Sequence, residues 1–116
     1  MRTIAIKEKE INNLGKLHEH HATDITFDFA AIAAEHPDAT YKLYYQPPDE
    51  EAYEVGEFEV ADGVGVWHIT EDETAVAGYG KAEVLIKDEN YCKKSQTYKT
   101  LVQESIIPRN GGEQDG

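Results

Sequence analysis

An all-β sandwich is the fold class predicted by this 116-residue sequence, and three observations carry it. Apolar residues alternate with polar ones in short runs, as in strands with one face buried. Turn signals rich in Gly, Pro, Asp and Asn separate those runs at regular spacing. Helical periodicity is confined to one or two short turns. The length suits one domain with a single modest core, expected over residues 1–108. Residues 109–116 are expected to form a disordered tail, because the segment NGGEQDG brings no core-forming side chains.

Taken in order, residues 2–7 place Ile4 and Ile6 on one side of a first strand. Residues 8–22 are polar and contain Asn12, Asn13 and Gly15, which reads as a loop or irregular hairpin. The next strand, 23–29, sets Ile25, Phe27 and Phe29 against Asp24, Thr26 and Asp28. The run AAIAAE at 30–35 suits a helical turn or two, stopped by Pro37. At 40–46 the aromatics of TYKLYYQ favour a strand, and Pro47-Pro48-Asp49 turns the chain.

Residues 53–60 and 63–70 predict a hairpin across Asp62-Gly63, a dipeptide suited to positive φ. Thr70 and Glu73 have capping-box spacing, so a brief helical turn is expected at 71–75. Gly78-Tyr79-Gly80 leads into a strand at 81–87 with Ala82, Val84 and Ile86 inward. The turn Asp88-Glu89-Asn90 follows, and a last strand at 96–102 aligns Tyr98, Thr100 and Val102.

The charge narrows the function classes. With 23 Asp+Glu against 11 Lys+Arg the net charge is -12, the wrong sign for a phosphate backbone or an anionic membrane surface. Neither a secretory leader nor a run long enough to span a bilayer is read in the sequence, so no membrane insertion is expected. The single cysteine, Cys92, excludes an internal disulfide and a cysteine metal cage.

Four groups of residues carry side chains capable of chemistry. His18, His20 and His21 with Glu19 resemble a ligand set by composition, but in an extended chain His18 and His20 point away from His21, and a solvated polar loop is the better reading. Asp49-Glu50-Glu51 and Glu71-Asp72-Glu73 fall in expected turns, where water keeps carboxylates ordinary; glycoside hydrolysis needs one in an apolar pocket. Cys92 lies beside Lys93-Lys94, which lowers a thiol's pKa, but no histidine is near in sequence to act as its base. No catalytic residue, metal ligand or cofactor is therefore assigned.

The aromatics are the remaining candidates. Trp67 is expected to anchor the core, while Tyr44, opposite Tyr41, Leu43 and Tyr45 on its strand, is expected at the surface. Tyr44, Tyr53 and Tyr79 are the candidate interface residues, since Tyr is favoured at protein contacts.

Trp67-x-Ile69-Thr70, Asp72-x-Thr74-Ala75, Gly78-Tyr79-Gly80-Lys81-Ala82, and Lys94-Ser95 leading into Thr100-x-Val102-x-x-Ser105 occur in that order. Upstream stand Phe27-Asp28-Phe29 and Leu43-Tyr44-Tyr45-Gln46-Pro47. Together they resemble the N-terminal domain of phage baseplate upper proteins and small phage tail proteins similar to it, over roughly residues 2–107. The resemblance implies an immunoglobulin-like antiparallel β-sandwich serving as a virion structural module, with no catalytic residues to carry over. No fibre or receptor-binding segment follows Ile107, so an adaptor role is expected. The reading is a non-enzymatic phage or prophage tail protein, made in a bacterial cytoplasm, bound to other tail or baseplate proteins and to copies of itself. The alternative is a carbohydrate-binding module stacking a cell-surface glycan on exposed rings; a small hydrolase is the remaining reading.

Overall fold

The computed structural model describes residues 1–107; the tail expected at 109–116 lies outside them. Among the described residues ten strands form two sheets. The chain runs β1 (Arg2–Ala5), β2 (Ile11–Lys16), β3 (Thr23–Asp28), α1 (Ala30–Glu35), β4 (Thr40–Gln46), β5 (Tyr53–Glu54), β6 (Phe58–Ala61), β7 (Val64–His68), β8 (Gly78–Asp88), β9 (Tyr91–Lys94) and β10 (Tyr98–Gln103). One sheet has the order β1-β3-β7-β6. The larger sheet is ordered β2-β10-β8-β4-β5, with β9 on β8.

The two sheets enclose one core, and the period-2 pattern decides its membership. Ile25 and Phe27 of β3, Leu43 and Tyr45 of β4, Trp67 of β7, Ala82, Val84 and Ile86 of β8, and Tyr98 and Val102 of β10 are all buried. Trp67 is 0% exposed and its ring lies 5.7 Å from that of Tyr45 in the facing sheet. Phe27 receives Phe58 and Tyr98 edge-on, the arrangement the ring quadrupoles favour.

The Asp62-Gly63 turn forms as the sequence requires, with φ of 53° and 78° and β6 and β7 paired antiparallel on either side. The strand before it divides. β5 pairs with β4 in the larger sheet, and after Gly56 the chain crosses to the smaller sheet as β6. The expected turn at 71–75 is a single hydrogen-bonded turn, with Thr70 O accepting from both Glu73 N (3.1 Å) and Thr74 N (3.3 Å). The helix at 30–35 forms with no side-chain cap. Its end is held by His36, which stacks on Tyr91 at 3.8 Å.

Two strands were hidden in the sequence. The segment 8–22, read as a loop or irregular hairpin, contains β2, which joins β10 in parallel with a register shift between Leu101 and Val102. Its alternation is masked because one inward residue is polar: Asn12 is 0% exposed. The Asn12 amide accepts from Lys7 N (2.7 Å) and donates to Lys7 O and Lys99 O (3.0 Å each), so every polar atom finds a partner. β9 is short and mostly exposed, and it lacks the apolar alternation that identifies a strand. The antiparallel sandwich expected from the sequence is present with one correction: β1 with β3, and β10 with β2, are parallel pairs, while the other pairings are antiparallel. Parallel neighbours arise because β1 and β2 each start a crossover between sheets rather than a hairpin.

Gly78 has φ +128°, as expected of a residue freed from the Cβ restriction. Gly80 serves a different need. A Cβ there would meet Gln46 O at 2.5 Å, Thr100 Oγ1 at 3.0 Å and Tyr45 OH at 3.2 Å, so the two neighbouring strands, β4 and β10, close on a position without a side chain. Gly80→Ala is expected to cost about 1–3 kcal/mol by overpacking, measured by urea unfolding, whereas Gly56→Ala, which meets nothing within 4 Å, is expected to change stability by less than about 0.5 kcal/mol.

Candidate functional site

The candidate histidines, acids and tyrosines fall mainly in two places: one end of the sandwich and the outer face of the larger sheet. At the end, the loop from β2 to β3 is laid against the turn from β7 to β8. His18 N donates to Thr74 O (2.9 Å) and His21 N to Ile69 O (2.8 Å). Thr74 Oγ1 donates to Glu19 O (2.7 Å), and the Glu71 amide donates to His20 Nδ1 (3.1 Å). His20 and His21 stack at 3.8 Å, and His21 Nε2 lies 2.9 Å from a Glu57 carboxylate oxygen. The histidine segment is thus a loop tied to its neighbour, with the two stacked rings already engaged. No group of three or more His, Cys, Asp or Glu is arranged to hold a metal among the described residues.

Glu73 corrects one expectation. Its neighbours Glu71 and Asp72 are exposed, but Glu73 is 2% exposed. The turn folds its carboxylate inward, where Oε1 accepts from Thr70 N and Thr70 Oγ1 (3.0 Å each). Oε2 accepts from the Tyr53 hydroxyl at 2.7 Å. Thr70 Oγ1 in turn accepts from Asp72 N at 3.2 Å, completing the reciprocal capping pattern. Sequence spacing found the Thr70–Glu73 pair; only the tertiary structure supplies Tyr53, which brings the larger sheet to the same carboxylate. Burial and the hydrogen bond to Glu73 push the Tyr53 phenol well above its usual range.

The three candidate interface tyrosines therefore separate. Tyr53 is half-buried, with its hydroxyl on Glu73 and its ring edge-on to Tyr45. Tyr44 and Tyr79 lie on the outer face of the larger sheet. Tyr79 is 67% exposed and sits opposite Leu101, while Tyr44 sits opposite Glu83. Their register places them four residues apart along β8, about 13 Å, too far to share one small ligand ring. Trp67, the largest platform a carbohydrate-binding reading has, is fully buried.

Around Tyr44 the outer face is concave. Tyr44, Gln46, Ala52, Lys81, Leu85 and Lys94 line an open hollow of about 530 Å³. Its floor is β4 and β8, and its wall is the chain joining β9 to β10. Ser95 builds that wall by pairing with Val84 twice, through its amide to Val84 O and its hydroxyl to Val84 N (2.8 Å each). Thr97 Oγ1 donates to Glu83 at 2.9 Å, which fixes the one carboxylate in the hollow. Tyr44 and Leu85 give it an apolar centre with lysines at the rim, the anatomy of a contact patch. Cys92 is exposed on β9, opposite Lys87.

The outer face of the smaller sheet carries the one histidine there whose titration is displaced. His68 Nδ1 lies 2.9 Å from Asp24 and Nε2 lies 3.3 Å from Glu59. The bond to Asp24 is the main cause that raises the His68 pKa, against the opposing effect of partial burial. No helix among the described residues is long and apolar enough to cross a membrane.

Two measurements probe these arrangements. Removing the carboxylate in Glu73→Ala strands Thr70 N–H and the Tyr53 hydroxyl inside, so a loss of about 3 kcal/mol or more is expected. Tyr53→Phe, which leaves Glu73 its Thr70 bonds, should cost about 1.5–3 kcal/mol in the same urea series. For His68, an NMR titration should give a midpoint above the ~6.5 of an unperturbed histidine, returning toward it in Asp24→Asn. Because the folded pKa is raised, the pair's contribution to stability is complete below about pH 6.5 and declines as pH rises through the raised value.

No family model matches the chain, and no curated protein matches it. Among solved structures, it is similar to the N-terminal domain of phage TP901-1 ORF48. The TM-score is 0.50 at 12% sequence identity, over 89% of this chain and 99% of that one. The likeness is one of fold: this chain is an all-β sandwich of two mixed sheets, arranged as in that phage domain.

Proposed function

We propose that this chain is a structural module of a phage or prophage tail, acting at or near the baseplate as a non-enzymatic adaptor through protein–protein contacts. The observation that carries this reading is the fold shared with a phage domain along 99% of that domain's length. The chemistry of the surface supports it. The polar groups that would have to do catalysis are committed to holding loops together: Glu73 to Thr70 and Tyr53, His20 to the Glu71 amide, and His21 to Glu57. What is left facing outward is a sheet surface centred on Tyr44 and Leu85, with Tyr79 at its end. Such a surface suits docking to another protein of the tail.

Its working place would be the virion, after synthesis in the host cell. The carbohydrate-binding alternative loses support with Trp67 buried and with Tyr44 and Tyr79 set apart.

The test is the protein content of particles. In particles purified from a host producing the phage that encodes this chain, mass spectrometry should detect it, and gold-labelled antibody should mark the tail end. A Tyr44→Glu, Leu85→Glu variant that keeps the wild-type melting temperature within a few degrees should be depleted from particles at least tenfold. Particles that assemble and infect without the chain would sink the proposal.

A further inference from the structure

The two outer faces of the sandwich carry opposite charge. Residues paired directly across a sheet share a face, so the strand registers and exposures define which side chains look outward. From the larger sheet Lys16, Lys42, Lys81, Lys87, Lys94 and Lys99 do so, leaving only Lys7, Lys9 and Lys93 elsewhere. Glu54 and Glu83 are the strand carboxylates among them, and Glu83 is held by Thr97.

These lysines have no carboxylate of their own. Every ion pair within 4.0 Å among the described residues joins a histidine to an acid, and none involves lysine or arginine. The chain has 23 acidic residues to 11 basic ones, so this is a segregation of charge rather than a shortage of partners.

The outer face of the smaller sheet is the complement. Asp28 of β3 and Glu59 of β6 are exposed on it, with Val64 and Val66 of β7 between them, while Asp24 is buried against His68, whose other ring nitrogen lies 3.3 Å from Glu59. No lysine or arginine points outward from its strands. Arg2 of β1 shares the inner side of its strand with Thr23, and its guanidinium donates to Asn13 O (2.6 Å) and Thr23 Oγ1 (3.1 Å). Both faces therefore have an apolar middle, Tyr44 and Leu85 on one, Val64 (47% exposed) and Val66 on the other. Lysines surround the first, and the exposed carboxylates Asp28 and Glu59 flank the second.

We propose that copies of this chain associate head to tail, the lysine face of one seated on the carboxylate face of the next. This rests on the reading of the larger sheet's outer face as a contact surface, and it names the occupant as a second copy. The complementary surface is present on the same chain, with a matching apolar centre. The overall charge of -12 opposes approach at long range, but that repulsion decays over about 8 Å at physiological ionic strength, and at contact the charges that meet are unlike. A contact between two different faces is heterologous, so it propagates into a ring or an open stack rather than ending at a dimer.

Sedimentation velocity and light scattering on the full chain test this with two neutralised variants. One carries Lys42→Gln, Lys81→Gln and Lys99→Gln; the other carries Asp28→Asn and Glu59→Gln. Thermal melting checks that each remains folded. Wild type is expected to form species larger than dimers as concentration rises through the micromolar range. Each variant alone should associate at least tenfold more weakly. Mixed, the two variants retain one intact lysine face and one intact carboxylate face between them, so they should form one-to-one dimers that do not grow. A wild type that stays monomeric overturns the proposal, as does a mixture no more associated than its parts. So does an assembly that neutralising either face leaves unchanged. A monomeric chain that is nonetheless found in phage particles rejects the second copy as occupant while leaving the tail role standing; self-association by a chain absent from particles does the reverse.

Discussion

The fold depends on one buried carboxylate. Glu73 sits inside the sandwich end with its oxygens shared between Thr70, which opens the turn after β7 of the smaller sheet, and Tyr53, which belongs to the larger one. A carboxyl group out of water is tolerated only when its lone pairs are satisfied, and here three donors converge on it. Against the turn it shapes lies the histidine loop, which takes its own backbone partners from Ile69 and Thr74. Two crossings between sheets, β2 to β3 and β7 to β8, are thereby fixed to one another. Exposed turn acids and a metal-like histidine run are, in three dimensions, one fastening.

A second polar anchor does comparable work on the sheet. Asn12 occupies a core position and ties the chain after β1 to the β2–β10 pair through both its oxygen and its nitrogen. Apolar side chains fill the space between the sheets and forbid a one-residue slip, which would turn them to solvent; a buried amide with each atom partnered also forbids a slip of two. Where Gly80 brings Gln46, Thr100 and Tyr45 together without a side chain, shape adds a third constraint. The interior is specified by a few polar contacts and one missing methyl as much as by apolar bulk.

With these groups committed inside, the outside is left to carry function. Its most organised feature is the division of charge between the two outer faces, which follows from the alternation of side chains across paired strands. The proposed adaptor role needs surfaces that hold other proteins rather than a pocket that turns over a substrate. The hollow around Tyr44, rimmed by lysines that no internal acid neutralises, is a surface of that kind.

The sequence by itself determined the fold class, most strands, the Asp62-Gly63 hairpin and the Thr70–Glu73 pairing. Each is written in local periodicity or turn chemistry, within a few residues of chain. It also marked Tyr44 as outward-facing by alternation alone. The tertiary structure decided what depends on distant residues. It recruited 11–16 into a strand because Asn12 finds its partners on Lys7 and Lys99. It turned Glu73 inward because Tyr53 waits there, which also draws Tyr53 away from the surface. The same assembly set β1 beside β3 and β2 beside β10 in parallel. The charge of the whole chain was legible as a sum, but its separation onto opposite faces was not. A sum is indifferent to order, whereas a face is assembled from strands far apart in sequence and brought side by side by the core.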